Sequence, residues 1–165
     1  MTRFSVRNRS VADIPARRIQ IWDLISSPER LARLTPLVRT IRADGEQWCW
    51  QLTTISAFGV RVAPSFVELM RFDDQRTISF SPAAGGDGRA GAEGDYRLSD
   101  NADGTTRLAI DLTMSVELPL PGFLRGGVER LMASMMRKTG ARFAQNVYRE
   151  LGIDGSGIVV REGAA

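Results

Sequence analysis

The stretch from Arg107 to Leu118 alternates apolar and polar residues without a break, and it constrains the fold more than any other part of the chain. Its apolar positions are Leu108, Ile110, Leu112, Met114, Val116 and Leu118. A period of two indicates a β-strand with one buried face, which is typical of an antiparallel sheet covered on one side only. Each buried apolar side chain contributes about 1.5–3 kcal/mol, so a shift of register by one residue is strongly disfavoured.

A long amphipathic helix follows this strand. Pro119 and Pro121 end the strand, and apolar residues then recur at helical spacing from about Gly122 to Leu151. The apolar face of the sheet must be buried against another layer, and no other predicted helix is long enough to cover it. We therefore expect the helix to pack against the sheet, with Gly140 as a candidate kink.

Upstream of Arg107 the pattern predicts one strand, two short helices and five further strands. The first strand covers residues 2–12, the helices surround Trp22 and Leu31, and one of the later strands runs from Trp48 to Phe58. The chain is thus predicted to be an α+β domain of the helix-grip type. A curved seven-stranded antiparallel sheet surrounds the long C-terminal helix, with two short helices after the first strand. The domain is expected to span residues 1–151, followed by a tail at residues 152–165 that holds a short apolar run, Ile158 to Val160, and is otherwise loose.

The composition excludes several kinds of chemistry. The chain has no histidine and one cysteine, Cys49, which rules out Ser-His-Asp and Cys-His catalysis and disfavours zinc sites. No apolar run approaches the roughly 20 residues of a membrane span, and the charged N-terminus lacks the apolar segment of a secretion signal. We therefore predict a cytoplasmic protein, at most peripheral to the inner face of the membrane, with no cofactor, no metal site and no catalytic motif.

Three stretches resemble the START-like, or SRPBCC, superfamily, which includes the birch pollen allergen and polyketide cyclase/dehydrase proteins. They are SVADIPARRIQIWDLISSPERLARLTP, AEGDYRLSDNADGTTRLAIDLTMSV and LPLPGFLRGGVERLMASMMRKTGARFAQNVYREL. The last two are most similar to the coenzyme-Q-binding branch and to the branch of the carbon monoxide dehydrogenase G-type proteins. The resemblance covers the chain to about Leu151. It implies a helix-grip fold with a hydrophobic ligand pocket, as found in lipid, sterol, quinone and polyketide binders and in some enzymes.

Alternation and helical spacing together place a set of large side chains on the concave side of the sheet and on the facing side of the helix. Aromatic residues give such a wall its shape and methionines adapt to the ligand, which suits a bulky hydrophobic molecule. The alternative is ordinary core packing. The candidate cavity residues are Trp48, Trp50, Leu52, Phe58, Phe66, Glu68, Met70, Tyr96, Leu112, Met114, Leu131, Met135, Met136 and Phe143.

Glu68 is the one acidic member of this set. It shares a strand face with Phe66 and Met70, so it is expected to point into the apolar interior, where an unpaired carboxyl has a raised pKa and marks candidate functional sites. The alternative is that a bulge at Pro64 turns Glu68 outward. Glu93 and Arg97 would reach it only if a bulge near Gly94 changed the register of their strand.

Three turn regions are expected to meet at one end of the sheet and form a mouth. They are the turn at Phe58-Gly59, the glycine-rich loop at residues 85–88 and the segment from Leu118 to Phe123. The loop lacks the spacing of a phosphate-binding loop and is predicted to be a hairpin connection. The apolar segment LPLPGFL either touches a membrane or partner, or is a buried connection under the rim of the sheet.

Three functions remain in consideration. The first is binding or transport of a hydrophobic small molecule, such as a lipid, quinone, isoprenoid or polyketide-like compound, without catalysis. The second is a cyclase- or dehydrase-like enzyme that uses Glu68, Tyr96 and Arg97. The third is a protein-interaction module that binds an acidic protein through the basic first third of the chain. Up to Arg42 this part contains nine arginines and three acidic residues. No recognition helix or aromatic-basic strand motif indicates sequence-specific nucleic-acid binding.

Overall fold

The computed structural model describes residues 1–163 of the chain. Ten strands and three α-helices follow one another along this part of the chain. In chain order they are β1 (Thr2–Ile14), α1 (Arg18–Ile25), α2 (Pro28–Leu34), β2 (Val38–Asp44), β3 (Gln47–Leu52), β4 (Ile55–Ala57), β5 (Val60–Val62), β6 (Ser65–Asp73), β7 (Thr77–Pro82), β8 (Ala90–Asp100), β9 (Thr106–Leu118), α3 (Arg125–Glu150) and β10 (Val160–Glu162). This is the predicted α+β helix-grip fold.

Eight of the strands form one antiparallel sheet. Its order is β10-β1-β9-β8-β7-β6-β3-β2, and the seven predicted strands are all present. The eighth, β10, comes from the tail and pairs with residues 10–12 of β1. The expectation of a loose chain is therefore wrong for residues 161–162, because the exposed edge of β1 offers residues 160–162 backbone hydrogen bonds. The domain boundary at Leu151 stays a prediction.

The predicted strand from Trp48 to Phe58 is interrupted. β3 ends at Leu52, whose backbone N–H donates to the Pro64 carbonyl at 2.9 Å, and the chain then forms the separate two-stranded hairpin β4–β5. Its turn is Phe58-Gly59, with φ values of 52° and 75°, the left-handed conformation that two-residue hairpin turns require. The alternation of the sequence continues through this break, so it gave no signal of the change of sheet.

The helices begin and end where the local sequence favours it. Pro28 occupies the first turn of α2, and the Ser27 hydroxyl accepts a hydrogen bond from the Arg30 backbone N–H at 3.4 Å, which confirms Ser27 as the N-cap. A short 3₁₀ turn at Gly122–Leu124 leads into α3, which has 26 residues. α3 is continuous through Gly140, so a break in the helix at this glycine is not observed.

Two buried clusters, rather than one, lie under the sheet. The larger joins inward-facing residues of the sheet to α1, α2 and the C-terminal half of α3, and includes Ile21, Leu31 and Val147. The smaller consists of Phe4, Leu120 and Val128, near the start of α3. Residues of both clusters also line the cavity between the sheet and α3.

A candidate ligand-binding cavity

The cavity has a volume of about 260 Å³ and lies between the concave face of the sheet and α3. Strands β1, β3, β6, β7, β8 and β9 contribute to one wall and α3 forms the opposite wall. The β4–β5 hairpin and residues 35–38 supply the remaining lining. The wall is almost wholly apolar because each contributing strand turns its alternate apolar residues inward.

The structure places twelve of the fourteen sequence-predicted residues on the cavity wall. They are Trp50, Leu52, Phe58, Phe66, Glu68, Tyr96, Leu112, Met114, Leu131, Met135, Met136 and Phe143. Their contact with a ligand stays a prediction.

Trp48 and Met70 do not line the cavity. Both are buried on the predicted face of the sheet, in the larger core cluster that also contains the wall residues Trp50 and Phe66. Trp48 packs against Phe72 with ring centroids 5.7 Å apart, and Phe72 in turn meets Trp22 of α1 at 6.3 Å. The alternation of the sequence correctly predicted which face of the sheet Trp48 and Met70 lie on. Whether a residue on that face lines the cavity or is covered by other parts of the core depends on its position along the strand.

Sequence reasoning missed a further part of the wall. The missed residues include Asn8, Ser10, Ile55, Val60, Val62, Phe80, Ala92, Ile110, Val128, Met132 and Gly140. Asn8 and Ser10 follow Phe4 on the inward face of β1, and Phe80 follows Ile78 on β7, so the period of two was available as a signal for them. The hairpin residues had no such signal, because their side of the wall exists only through the break after Leu52.

Glu68 points into the cavity. The register between β3 and β6 runs without interruption from Gln47↔Leu69 to Gln51↔Ser65, so no bulge follows Pro64 and the outward alternative is wrong. The residue is only 2% exposed, and burial raises the pKa of its carboxyl from 4.5 to about 8. At neutral pH most of the carboxyl is therefore protonated.

Two polar atoms beside each other on this wall have no hydrogen-bond partner among residues 1–163. They are Glu68 Oε2 and Trp50 Nε1. Their residues are diagonal neighbours on β6 and β3, since Trp48 lies opposite Glu68 and Trp50 lies opposite Phe66. The Trp50 indole N–H is near enough to favour the ionised carboxyl and so opposes the rise in its pKa, but the two groups do not meet hydrogen-bond geometry.

Tyr96 completes this polar cluster (Trp50, Glu68 and Tyr96). Burial and the negative charge of Glu68 both raise the pKa of its phenol, and its ring packs on Phe80 with centroids 5.5 Å apart. Glu68 and Tyr96 are the only ionisable side chains among the described residues of the wall. No cation of the wall therefore balances an ionised Glu68.

Arg97 does not belong to the cluster. Strand β8 pairs with β7 and β9 in continuous register through Gly94, so Glu93 and Arg97 stay on the outer face. The Arg97 guanidinium binds the Asp95 carboxylate there, with Nε 2.8 Å from Oδ1. The hypothesis that Arg97 joins Glu68 in catalysis is wrong, because the required bulge is absent.

The expected mouth stays a prediction, and the structure shows where two of its three turn regions lie relative to α3. Phe58 is 46% exposed and its ring lies 3.5 Å from the position that a Cβ would take on Gly127. The LPLPGFL segment is neither wholly exposed nor wholly buried, because Leu120 is buried whereas Phe123 is 84% exposed. The glycine-rich loop is the connection between β7 and β8, as predicted.

Metal-binding clusters and membrane-spanning helices are both absent from residues 1–163. No group of three or more histidine, cysteine, aspartate or glutamate side chains is arranged to hold a metal ion there. No helix in this part of the chain is long and apolar enough to cross a membrane.

A large antiparallel sheet around a C-terminal helix, with an apolar cavity between them, defines a helix-grip domain of the START and Bet v 1 type. Residues 3–148 match the family model described as polyketide cyclase/dehydrase and lipid transport. The chain belongs to this family, which confirms the resemblance to the START-like superfamily. The nearer similarity to the coenzyme-Q-binding and carbon monoxide dehydrogenase G-type branches stays a prediction.

Solved structures share the fold at low sequence identity. A conserved protein from Geobacillus kaustophilus has a TM-score of 0.67 at 13% identity, covering 94% of this chain and 99% of its own. A START superfamily protein from Mycobacterium smegmatis has a TM-score of 0.63 at 17% identity, covering 88% and 97%. An aromatase/cyclase from Streptomyces sp. R1128 has a TM-score of 0.60 at 12% identity, covering 94% and 99%. No curated protein matches the sequence.

Proposed function

We propose that this protein binds a hydrophobic small molecule in the cavity between its sheet and α3. One observation carries the proposal: a cavity of about 260 Å³ whose described wall is apolar apart from a few polar side chains, Glu68 and Tyr96 being the only ones that titrate. Native cores are packed with few voids larger than a water molecule, so a space of this size is maintained for an occupant. The family, whose description includes lipid transport, supports the same function.

Two glycines of α3 provide a matched pair of variants to test it. Gly140 lines the cavity, follows Met136 by one turn and has nothing within 4 Å of a Cβ position, whereas Gly126 lies on the exposed first turn with equally open space. Leucine raises helix propensity at both positions. Only Gly140→Leu adds volume to the cavity wall, so Gly126→Leu controls for the change in the helix.

The measurement is the fluorescence of N-phenyl-1-naphthylamine, a neutral dye that brightens in apolar surroundings, together with mass spectrometry of an organic extract of protein purified without detergent. We expect saturable binding of the dye and a copurified hydrophobic compound in the wild type and in Gly126→Leu. Both signals are expected to fall at least tenfold in Gly140→Leu. Equal signals in all three proteins would refute binding in this cavity.

A second candidate function is a cyclase- or dehydrase-like reaction. The observation that favours it is the buried Glu68 carboxyl, whose pKa of about 8 suits a general acid or base near neutral pH. With Arg97 on the outer face, Glu68 and Tyr96 are the proton-transfer groups left. If this candidate is right, Glu68→Gln abolishes turnover of the bound compound and leaves its binding intact, whereas a carrier shows no turnover in either protein.

The remaining hypotheses about partners and location stay predictions. Five of the nine arginines before residue 43 form ion pairs, among them Arg7 with Asp111 at 2.6 Å. These pairs reduce the net positive charge that an acidic protein would meet. Peripheral membrane contact through the exposed Phe123 and residence in the cytoplasm are consistent with the proposed carrier role.

A further inference from the structure

The polar cluster indicates what kind of molecule the cavity takes. Glu68 Oε2 and Trp50 Nε1 are buried without a partner in the described part of the chain, and both residues line the cavity together with Tyr96. Buried polar atoms are nearly always hydrogen-bonded, and leaving them unpaired is costly. A purely hydrocarbon occupant would leave these atoms unpaired, whereas an occupant with a suitably placed polar atom would pair them.

We infer that the ligand is an apolar molecule that carries one neutral oxygen group, a hydroxyl or a carbonyl, which hydrogen-bonds to Glu68 and Trp50 next to Tyr96. This inference rests on the proposed binding function and specifies its ligand. The Trp50 indole N–H donates to the oxygen of either group. Glu68 accepts from a hydroxyl or, in its protonated form, donates to a carbonyl.

The lack of cations in the described wall argues against a charged ligand. An ammonium group would have to lose its hydration and also ionise Glu68, and the desolvation of two ions in an apolar site offsets their attraction. An anionic group would find no positive charge on the wall, because Glu68 is at most a neutral carboxyl and no arginine or lysine is among the described wall residues. A neutral oxygen needs no change of charge on either side.

The size of the cavity limits the part of the ligand that it encloses. Its volume of about 260 Å³ is roughly 1.7 times that of the 150 Å³ cavity that holds a benzene molecule in an engineered protein core. Two fused six-membered rings or about ten carbon atoms fit such a space. Longer ligands would extend through the mouth past Phe58.

Three probes built on the same ring system test the inference: 2-naphthol, 2-methylnaphthalene and the slightly larger 2-naphthylmethylamine. They carry a hydroxyl, a methyl and a charged aminomethyl group on the same two rings. Their dissociation constants are to be measured by titration calorimetry at pH 7 with the wild type, Glu68→Gln and Glu68→Leu. Glu93→Gln removes a carboxyl from the outer face of the same sheet and is the control, and a thermal melt of each variant checks that it folds.

We expect the wild type and Glu93→Gln to bind 2-naphthol about tenfold more tightly than 2-methylnaphthalene, the ratio that corresponds to 1.4 kcal/mol for one well-placed hydrogen bond. Glu68→Gln keeps a donor and an acceptor and is expected to retain most of the preference. Glu68→Leu is expected to lose most of it, because only the Trp50 N–H remains for the hydroxyl, while binding 2-methylnaphthalene at least as well as the wild type.

The other outcomes separate this inference from the proposed function. Equal affinity of the wild type for 2-naphthol and 2-methylnaphthalene would leave binding intact and overturn the inference, because water rather than ligand would then satisfy the polar cluster. A Glu68-dependent preference for 2-naphthylmethylamine would overturn it in favour of a cationic ligand. Failure of all three probes to bind the folded wild type would overturn the binding function and the inference with it.

Discussion

Replacement of Glu68 by glutamine tests the unusual protonation of this residue in the folded protein. Glu68→Gln keeps the size and the hydrogen-bonding capacity of the side chain but removes its titration. In the unfolded chain the carboxyl has its ordinary pKa of 4.5, whereas burial in the fold raises the pKa to about 8. Between these two values the unfolded state has released the proton and the folded state still holds it.

The magnitude follows from this difference in proton binding. Each pH unit between 4.5 and about 8 lowers the free energy of unfolding by about 1.4 kcal/mol, and the interval of about 3.5 units amounts to about 5 kcal/mol. The contribution of Glu68 to the free energy of unfolding is fully present below pH 4.5 and is lost as the pH rises to about 8. Typical domains have only about 5–15 kcal/mol in total, so the effect is large.

The assay is urea unfolding, followed by tryptophan fluorescence and circular dichroism, of the wild type and Glu68→Gln at intervals from pH 4 to pH 9. The difference between the two free energies isolates Glu68, because all other titrating groups are common to both proteins. We expect the free energy of unfolding of the variant, relative to that of the wild type, to rise by up to about 5 kcal/mol from pH 4 to pH 9. Parallel curves would show that Glu68 titrates normally, and would refute the account of its burial.

Three further substitutions test other parts of the structure. Gly140→Ala is expected to raise the free energy of unfolding by about 0.5–1 kcal/mol in urea titrations, because a helix-interior glycine is replaced where the Cβ has open space; a loss of stability would mean that the cavity wall does not tolerate the methyl group. Phe58→Asn is expected to stabilise the protein by about 1 kcal/mol, because Phe58 holds a left-handed φ of 52° that asparagine tolerates better, and to weaken binding of N-phenyl-1-naphthylamine; unchanged dye affinity would remove Phe58 from the binding surface. Asp13→Asn is expected to speed amide hydrogen exchange at residues 160–162 at pH 6, because the Asp13 carboxylate binds Arg161 at 2.9 Å and Arg107 at 2.9 Å. The hydrogen bonds from Arg107 and Asn101, together with the charges of Arg107 and Arg161, hold the pKa of Asp13 well below its usual range, so the wild type should approach the exchange rates of the variant only as the pH falls well below 3.8. Equal rates at pH 6 would show that the ion pairs do not hold β10.

The sequence predicted the elements whose apolar residues face one way over a long distance. β9 and α3 each bury one side, so the period of their apolar residues determines both the element and its orientation. The same argument placed Phe66 and Tyr96 correctly on the cavity wall. It could not separate Phe66 from Met70, because the two share a face of β6 and differ only in which part of that face α1 and α2 cover.

Features that depend on distant partners could not be predicted from local pattern. Strand β10 forms because the edge of β1 is free and Asp13 lies where it can bind Arg161, and neither condition is visible in residues 152–165. The orientation of Glu68 depended on whether Pro64 produces a bulge, which the pairing of β6 with β3 decides. The break after Leu52 likewise depends on its hydrogen bond to Pro64.

The separation of the β4–β5 hairpin from the eight-stranded sheet gives the two parts of the wall different tolerance to change. The wall residues on β3, β6, β7, β8 and β9 lie on strands with a partner strand on each side, so exchanging them disturbs a cooperative unit. The hairpin pairs only with itself, yet it supplies Ile55, Ala57, Val60 and Val62 to the wall. Libraries aimed at new ligand selectivity should therefore be concentrated in residues 55–62, where shape can be altered while the scaffold that supports the remaining wall is left as it is.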